Sequence, residues 1–134
     1  MTESNVERVR HAYDAWNRHD IDAAMAFLDE DVKWEMSGEI VGTDAAYRGH
    51  DGVRRWWLQF LEPFEAVVIE PLEIVETRRD VVLVHLRLHG TGRQGIEVDQ
   101  RVSHLYELRD EKVIRVRAFI DHARALAAAE AGAG

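Results

Sequence analysis

The sequence has no cysteine. Disulfides, thiolate nucleophiles and every cysteine-based metal site are therefore excluded, and the cytoplasm becomes the default address. Long apolar runs are also missing, and none approaches the roughly 20 residues that span a bilayer. The opening segment MTESNVERVR lacks an apolar stretch, so no signal peptide is expected there. Basic residues are in the minority, with 17 Lys and Arg against 25 Asp and Glu and a net charge of −8. Such a surface repels phosphate backbones and anionic lipid, so no nucleic-acid or membrane partner is expected. Motifs that hold cofactors and metals are lacking too. The glycines fall at turns and form no phosphate-binding loop, and there is no HExxH segment. His85 and His89 alternate on a predicted strand, which puts them roughly 13 Å apart, too far to chelate. Ser4, Ser37 and Ser103 have no nucleophile-elbow context. The expectation is no metal, no cofactor and no serine nucleophile.

What is present fits one domain over residues 1–134, with 46% hydrophobic residues and four tryptophans. Ser4 and Glu7 form a capping-box pattern ahead of a stripe of Val6, Val9, Tyr13 and Trp16, which predicts a first helix. The segment 18–20 interrupts the stripe. Asp20 then caps a short second helix with Ile21, Ala24, Met25 and Leu28 inward. Val32, Trp34 and Met36 alternate with Lys33 and Glu35, as in a strand. Residues 37–49 are polar and glycine-punctuated, as in a loop or short hairpin. A third helix follows in HDGVRRWWLQFL, with Val53, Trp57, Phe60 and Leu61 on one face. Trp56 falls on another, suited to packing under the sheet or at an oligomer contact. Four strands are then predicted over 64–78, 81–92, 96–109 and 112–120. The first of them bends at Pro71, and tight turns lie at 78–80 and 109–111. Asp121 caps an alanine-rich C-terminal helix whose last three residues should fray. Long antiparallel strands need a cover on their apolar face, and here the N-terminal helices supply it. The predicted class is α+β: a strongly curved, mostly antiparallel sheet wrapped by three helices into a cone, with a short helix at the end.

Three segments, AYDAWNRHDIDAAMAFLDEDVKW, YRGHDGVRRWWLQF and HLYELRDEKVIRVRAFIDHARAL, resemble the SnoaL-like and ketosteroid-isomerase-like branch of the nuclear-transport-factor-2 superfamily. The resemblance implies that superfamily's cystatin-like cone and a pocket for a small apolar molecule. It also implies a homodimer paired through the outer sheet face, with Arg101, Arg115, Arg117 and Tyr106 near that region. It places the isomerases' proton-abstracting aspartate on Met36, which cannot be a base. Their oxyanion tyrosine falls near Tyr13, their protonated aspartate on His104 and a further pocket tyrosine on Trp57. The epoxide hydrolases' aspartate falls on Ala118.

Read from the residues themselves, His104 is the leading candidate. On strand 96–109 the even positions, Val98, Gln100, Val102, His104, Tyr106 and Leu108, are the more apolar and should face the pocket. A buried imidazole there can act as acid or base, or donate to a developing oxyanion; it can equally be a hydrogen-bonded core residue. Gln100 and Tyr13 would orient a substrate, and Arg87 would offset negative charge. The row His85, Arg87 and His89 has two readings. The aliphatic face of Val82, Val84, Leu86 and Leu88 argues that the row is outward, whereas the family alignment turns it inward. Ligand contacts are expected from Trp16, Trp34, Met36, Trp57, Phe60, His85, His89, Val102, Tyr106, Val116 and Ala118. Asp20 and Asp121 read as caps, while Glu35, Glu39 or Asp44 could supply a base from the pocket mouth. Three functions stay open: a cofactor-independent enzyme for isomerisation, cyclisation or dehydration of an apolar oxygenated molecule such as a polyketide or cyclic ketone; a non-catalytic binder with the same pocket; or a structural dimer in which Trp16, Trp34 and Trp57 fill the core.

Overall fold

Ser4 caps helix α1 (Asn5–Asn17), its hydroxyl accepting from the Glu7 backbone N–H at 3.1 Å. This is a computed structural model of the protein, and it describes residues 4–36 and 46–131. The α1 stripe buries Val9, Ala12, Tyr13, Ala15 and Trp16 against the sheet. The helix ends where His19 takes a left-handed φ of 58°. Asn17 then fastens α1 to the sheet: its side-chain amide donates to the Ile69 carbonyl at 2.8 Å and accepts from the Ile69 N–H at 2.9 Å. Asp20 caps α2 (Ile21–Met25) through the Ala23 N–H. Strand β1 (Leu28–Met36) starts earlier than the alternation predicts, and Leu28 lies on it rather than on the helix. Strand β2 (Ala46–Arg48) pairs antiparallel with β1, in the region expected to be a loop or hairpin. Ser37, Glu39 and Asp44, and the C-terminal residues expected to fray, lie outside the described residues.

Helix α3 (Gly49–Leu61) is followed by β3 (Phe64–Arg78), β4 (Val81–Gly92), β5 (Glu97–Arg109) and β6 (Lys112–Phe119). The sequence-based bounds agree within about a residue. Asp110 and Glu111 both have positive φ, as a two-residue turn between right-twisted strands requires. The β3–β4 register slips after Pro71, where the missing N–H cannot join the ladder. Helix α4 (His122–Ala131) follows Asp121, whose carboxylate accepts from the Ala123 N–H.

The strands form one open curved sheet, ordered β2-β1-β6-β5-β4-β3, antiparallel except for the β1–β6 pair. Its concave face carries the main core together with α1, α2 and α3. On the other face α4 lays Ala125 and Ala129 on Val81, Leu83 and Leu105, so the helical cover is not only N-terminal. Among the described residues no helix is long and apolar enough to cross a membrane.

Strand registers decide what shares the concave face. Met36 pairs with Ala118, Ala118 with His104 and His104 with Val84, which makes one rung across four strands. The next rung is Trp34, Val116, Tyr106 and Val82. On β4 the aliphatic residues take this inner face, with Val82, Val84 and Leu86 wholly buried. His85, Arg87 and His89 therefore lie outside, which corrects the inward reading that the family alignment suggested. The physical reason is burial: the aliphatic row gains roughly 1.5–3 kcal/mol per large side chain by facing the core. Outside, Arg87 pairs with Asp99 at 2.8 Å and with Glu70 at 3.7 Å, and His89 lies 3.4 Å from Glu70.

Candidate functional site

A cavity of about 860 Å³ opens on the concave face between β5 and the C-terminal half of α3. Its wall includes Met36, Ala118, Val102, His104 and Gln100 from the sheet, and Trp56, Gln59 and Phe60 from α3. Glu62, Pro63, Phe64 and Arg93 stand where α3 meets the turn between β4 and β5. Of the residues the sequence pointed to, His104, Gln100, Met36, Phe60, Val102 and Ala118 lie on this wall.

Tyr13, Trp16, Trp34, Trp57, Tyr106 and Val116 do not. They are buried behind it, each at most 5% exposed. Their inward stripes were read correctly, but aromatic packing fills the space they point into. Trp16 lies against Trp57 at 4.7 Å between ring centroids, and Trp34 against Trp56 at 4.3 Å. Trp56 replaces Trp57 as the tryptophan on the cavity wall, with Phe60 stacked on it at 5.4 Å. Trp56 packs under the sheet on Trp34 of β1, as one reading of the sequence had it, and also reaches the cavity. Arg87, His85 and His89 are on the other side of the sheet. His85 instead packs on His122, 4.4 Å between ring centroids, and His122 in turn meets the Ser103 hydroxyl at 2.7 Å. Tyr106, expected near the outer face and also as a ligand contact, is an inner core residue.

The polar centre of the site is a buried chain of three side chains. The Tyr106 hydroxyl donates to the Tyr13 hydroxyl at 2.7 Å, and the Tyr13 oxygen lies 2.7 Å from His104 Nδ1. Because Tyr106 donates to Tyr13, the Tyr13 proton is available for Nδ1. The neutral imidazole then carries its own proton on Nε2. Burial pushes the His104 pKa down to about 4. Burial also raises both tyrosines, Tyr13 further through its neighbour Tyr106. At neutral pH all three groups are uncharged. His104 is thus a fixed hydrogen-bond donor on the cavity wall, with no partner for Nε2 among the described residues. It is a poor base near pH 7, so of the two roles the sequence allowed, the donor role fits this environment.

A stability test follows from the His104 shift. The unfolded chain takes up this proton near 6.5 and the folded chain only near 4. Within that window the unfolded state holds more protons, so stability is full above pH 6.5 and is lost as pH falls toward 4. The loss attributable to His104 is about 3 kcal/mol. Urea unfolding at pH 7 and pH 4.5 should show a smaller acid loss in His104→Gln than in wild type. Equal losses would contradict the neutral, buried assignment.

Two features were not expected on the wall from the sequence: Trp56, and the rim pair of Glu62 and Arg93. Arg93 donates its backbone N–H to the Pro63 carbonyl at 3.1 Å and its Nε to the Glu62 carbonyl. The position of Arg93 in a glycine-flanked turn gave no signal, because its partner is about 30 residues away in sequence. Among the described residues no three His, Asp or Glu side chains gather as a metal site.

Comparison with known proteins agrees with this architecture. Residues 9–116 match the SnoaL-like domain family. TerC, crystallised with polyporic acid, is 21% identical with a TM-score of 0.79, over 94% of this chain and 98% of that one. An NTF2-like protein of unknown function from Burkholderia pseudomallei K96243 is 20% identical with a TM-score of 0.80, over 94% and 97%. A protein assigned as a SnoaL-like polyketide cyclase from Jannaschia sp. CCS1 is 22% identical with a TM-score of 0.74, over 96% of each chain. At these identities the likeness shows the fold. No curated protein matches the sequence.

Proposed function

The chain belongs to the SnoaL-like domain family, and we propose that its cavity takes an apolar, carbonyl-bearing small molecule whose oxygen accepts the His104 Nε2 proton. The observation that carries this reading is the buried chain from Tyr106 through Tyr13 to His104, ending on the cavity wall. A preorganised donor in a water-poor site stabilises negative charge as it develops on a carbonyl oxygen, and it needs no reorganisation at that moment. Enolisation, aldol-type cyclisation and dehydration next to a carbonyl all develop such charge. We therefore favour a cofactor-independent isomerase, cyclase or dehydratase. Tyr13 and Tyr106 are positioning residues in this scheme, because they hold the imidazole tautomer without reaching the cavity. The likeness to TerC, co-crystallised with polyporic acid, and to an assigned polyketide cyclase supports an organic ligand of this kind.

One observation favours a binder without turnover. Ala118 and Val84 flank His104 on its rung, with Met36 beyond Ala118, and Glu62 at the rim is the only carboxylate on the described wall. A reaction that needs a protein base close to His104 has none there among the described residues. The two readings separate in one experiment. Tryptophan fluorescence should respond saturably to cyclic ketones, enones and aromatic carbonyl compounds, because Trp56 lines the cavity and touches the other three indole rings. Product analysis of each hit then distinguishes turnover from binding. No saturable response from a folded sample would count against both.

A further inference from the structure

We propose that Arg93 makes this cavity selective for ligands that carry a carboxylate at one end of an apolar body. The inference rests on the reading above, in which the cavity is open and His104 meets an oxygen inside it.

Two arginines on the sheet strands are already occupied. Arg87 is held by Asp99 and Glu70, and Arg115 by Glu35 and Glu107. Arg93 differs. It stands on the cavity rim, and its one side-chain bond goes from Nε to the neutral Glu62 carbonyl. No described carboxylate forms an ion pair with it. That bond and its backbone bond to Pro63 fix the stem against the end of α3. The terminal nitrogens keep their donors, and an immobilised guanidinium fork is well matched to a carboxylate. Between this cation and the His104 donor, the wall is largely apolar, with Phe60, Phe64, Leu88, Val98 and Val102. The complementary molecule has an apolar ring body, a carbonyl oxygen directed to His104 and a carboxylate directed to the rim. Glu62 also lines that rim. Its charge opposes an incoming carboxylate, so Arg93 and Glu62 should affect the same ligand with opposite sign.

Anthraquinone-2-carboxylate and its neutral carboxamide provide a matched pair of probes, alike in body and ring carbonyls. Binding is read by tryptophan fluorescence at low salt, where a rim charge is least screened. The wild-type protein should bind the carboxylate about fivefold more tightly than the amide, the upper range for a partly exposed ion pair. Arg93→Gln should abolish that preference, weakening the carboxylate more than the amide. Arg93→Lys, which keeps the charge but loses the fork, should retain part of it. Glu62→Gln should increase it, and circular dichroism confirms folding of each variant. Equal affinity for the two probes in wild type, or an undiminished preference in Arg93→Gln, would overturn the assignment of Arg93 while leaving the carbonyl-binding reading intact. Failure of both probes to bind would overturn the open cavity and this inference with it.

Discussion

Alanine in place of His104 should lower turnover by about 100-fold or more, the range for removing one preorganised donor or acid–base group. The loss should fall mainly on kcat, because a donor matched to developing charge acts more on the transition state than on bound substrate. Truncation also leaves the buried Tyr13 hydroxyl without its acceptor, at a cost of about 1–3 kcal/mol in stability. Two companion variants separate these effects. His104→Gln keeps a side-chain amide donor with less disturbance of packing. Tyr13→Phe leaves the imidazole in place but removes the partner that fixes its tautomer. For Tyr13→Phe, a smaller fall in kcat with an altered pH profile is expected, since a merely structural tyrosine would change stability and leave the profile alone. If the protein binds without turnover, the same variants should weaken affinity for carbonyl ligands and spare hydrocarbon analogues. An unchanged rate or affinity in a folded His104→Ala protein would remove His104 from the function.

Gly90→Ala should destabilise the fold by about 3 kcal/mol or more, at or beyond the usual range for overpacking. A β carbon at this position would sit 2.1 Å from the Ala66 carbonyl oxygen and 2.7 Å from the Val67 Cα. Both neighbours are backbone, so no side chain can swing away to make room. Gly90 pairs with Val67 on β3 and with Val98 on β5, beside the slip in the β3 ladder between Phe64 and Ala66. The missing side chain lets β3 fold close over β4 at the end of the cavity where Phe64 and Val98 line the wall. Denaturant unfolding of Gly90→Ala checks the stability. A comparison with Gly95→Ala separates steric contact from turn strain: Gly95 has a left-handed φ of 78° but nothing near its missing β carbon. If Gly90→Ala proves as stable as wild type, the close approach of the two strands is not needed for the fold.

The main elements were legible because their signals are local. Ser4 with Glu7, Asp20 and Asp121 mark helix starts through bonds within four residues. The alternation in β4 and β5 fixes which side chains share a face, since neighbouring residues on a strand must point to opposite sides. On that ground the sequence alone put His104 and Gln100 inward. On β4 the sequence left two readings open, and the structure took the one in which the aliphatic residues face inward, because leaving that row in water would forfeit its burial.

Depth was not legible. Periodicity tells which side of an element faces inward, but not whether a side chain ends at a cavity or against another ring. Trp16, Trp34, Trp57 and Tyr106 carry the same inward signal as Val102 and His104, yet they pack behind the wall while Trp56 reaches it. Residue pattern alone did not join Tyr13 to His104, 91 positions apart, which only the family resemblance brought to one site, and nothing in the sequence joined Arg93 to Glu62, 31 apart. Those meetings depend on how far the sheet curves and where α1 and α3 settle on it. The chain by itself determined most of its secondary structure, its fold class and the inward face of β5, because those follow from neighbours in sequence. Tertiary packing alone decided the tautomer of His104, the tryptophan at the cavity and the cation at its rim, because each depends on contacts between distant segments.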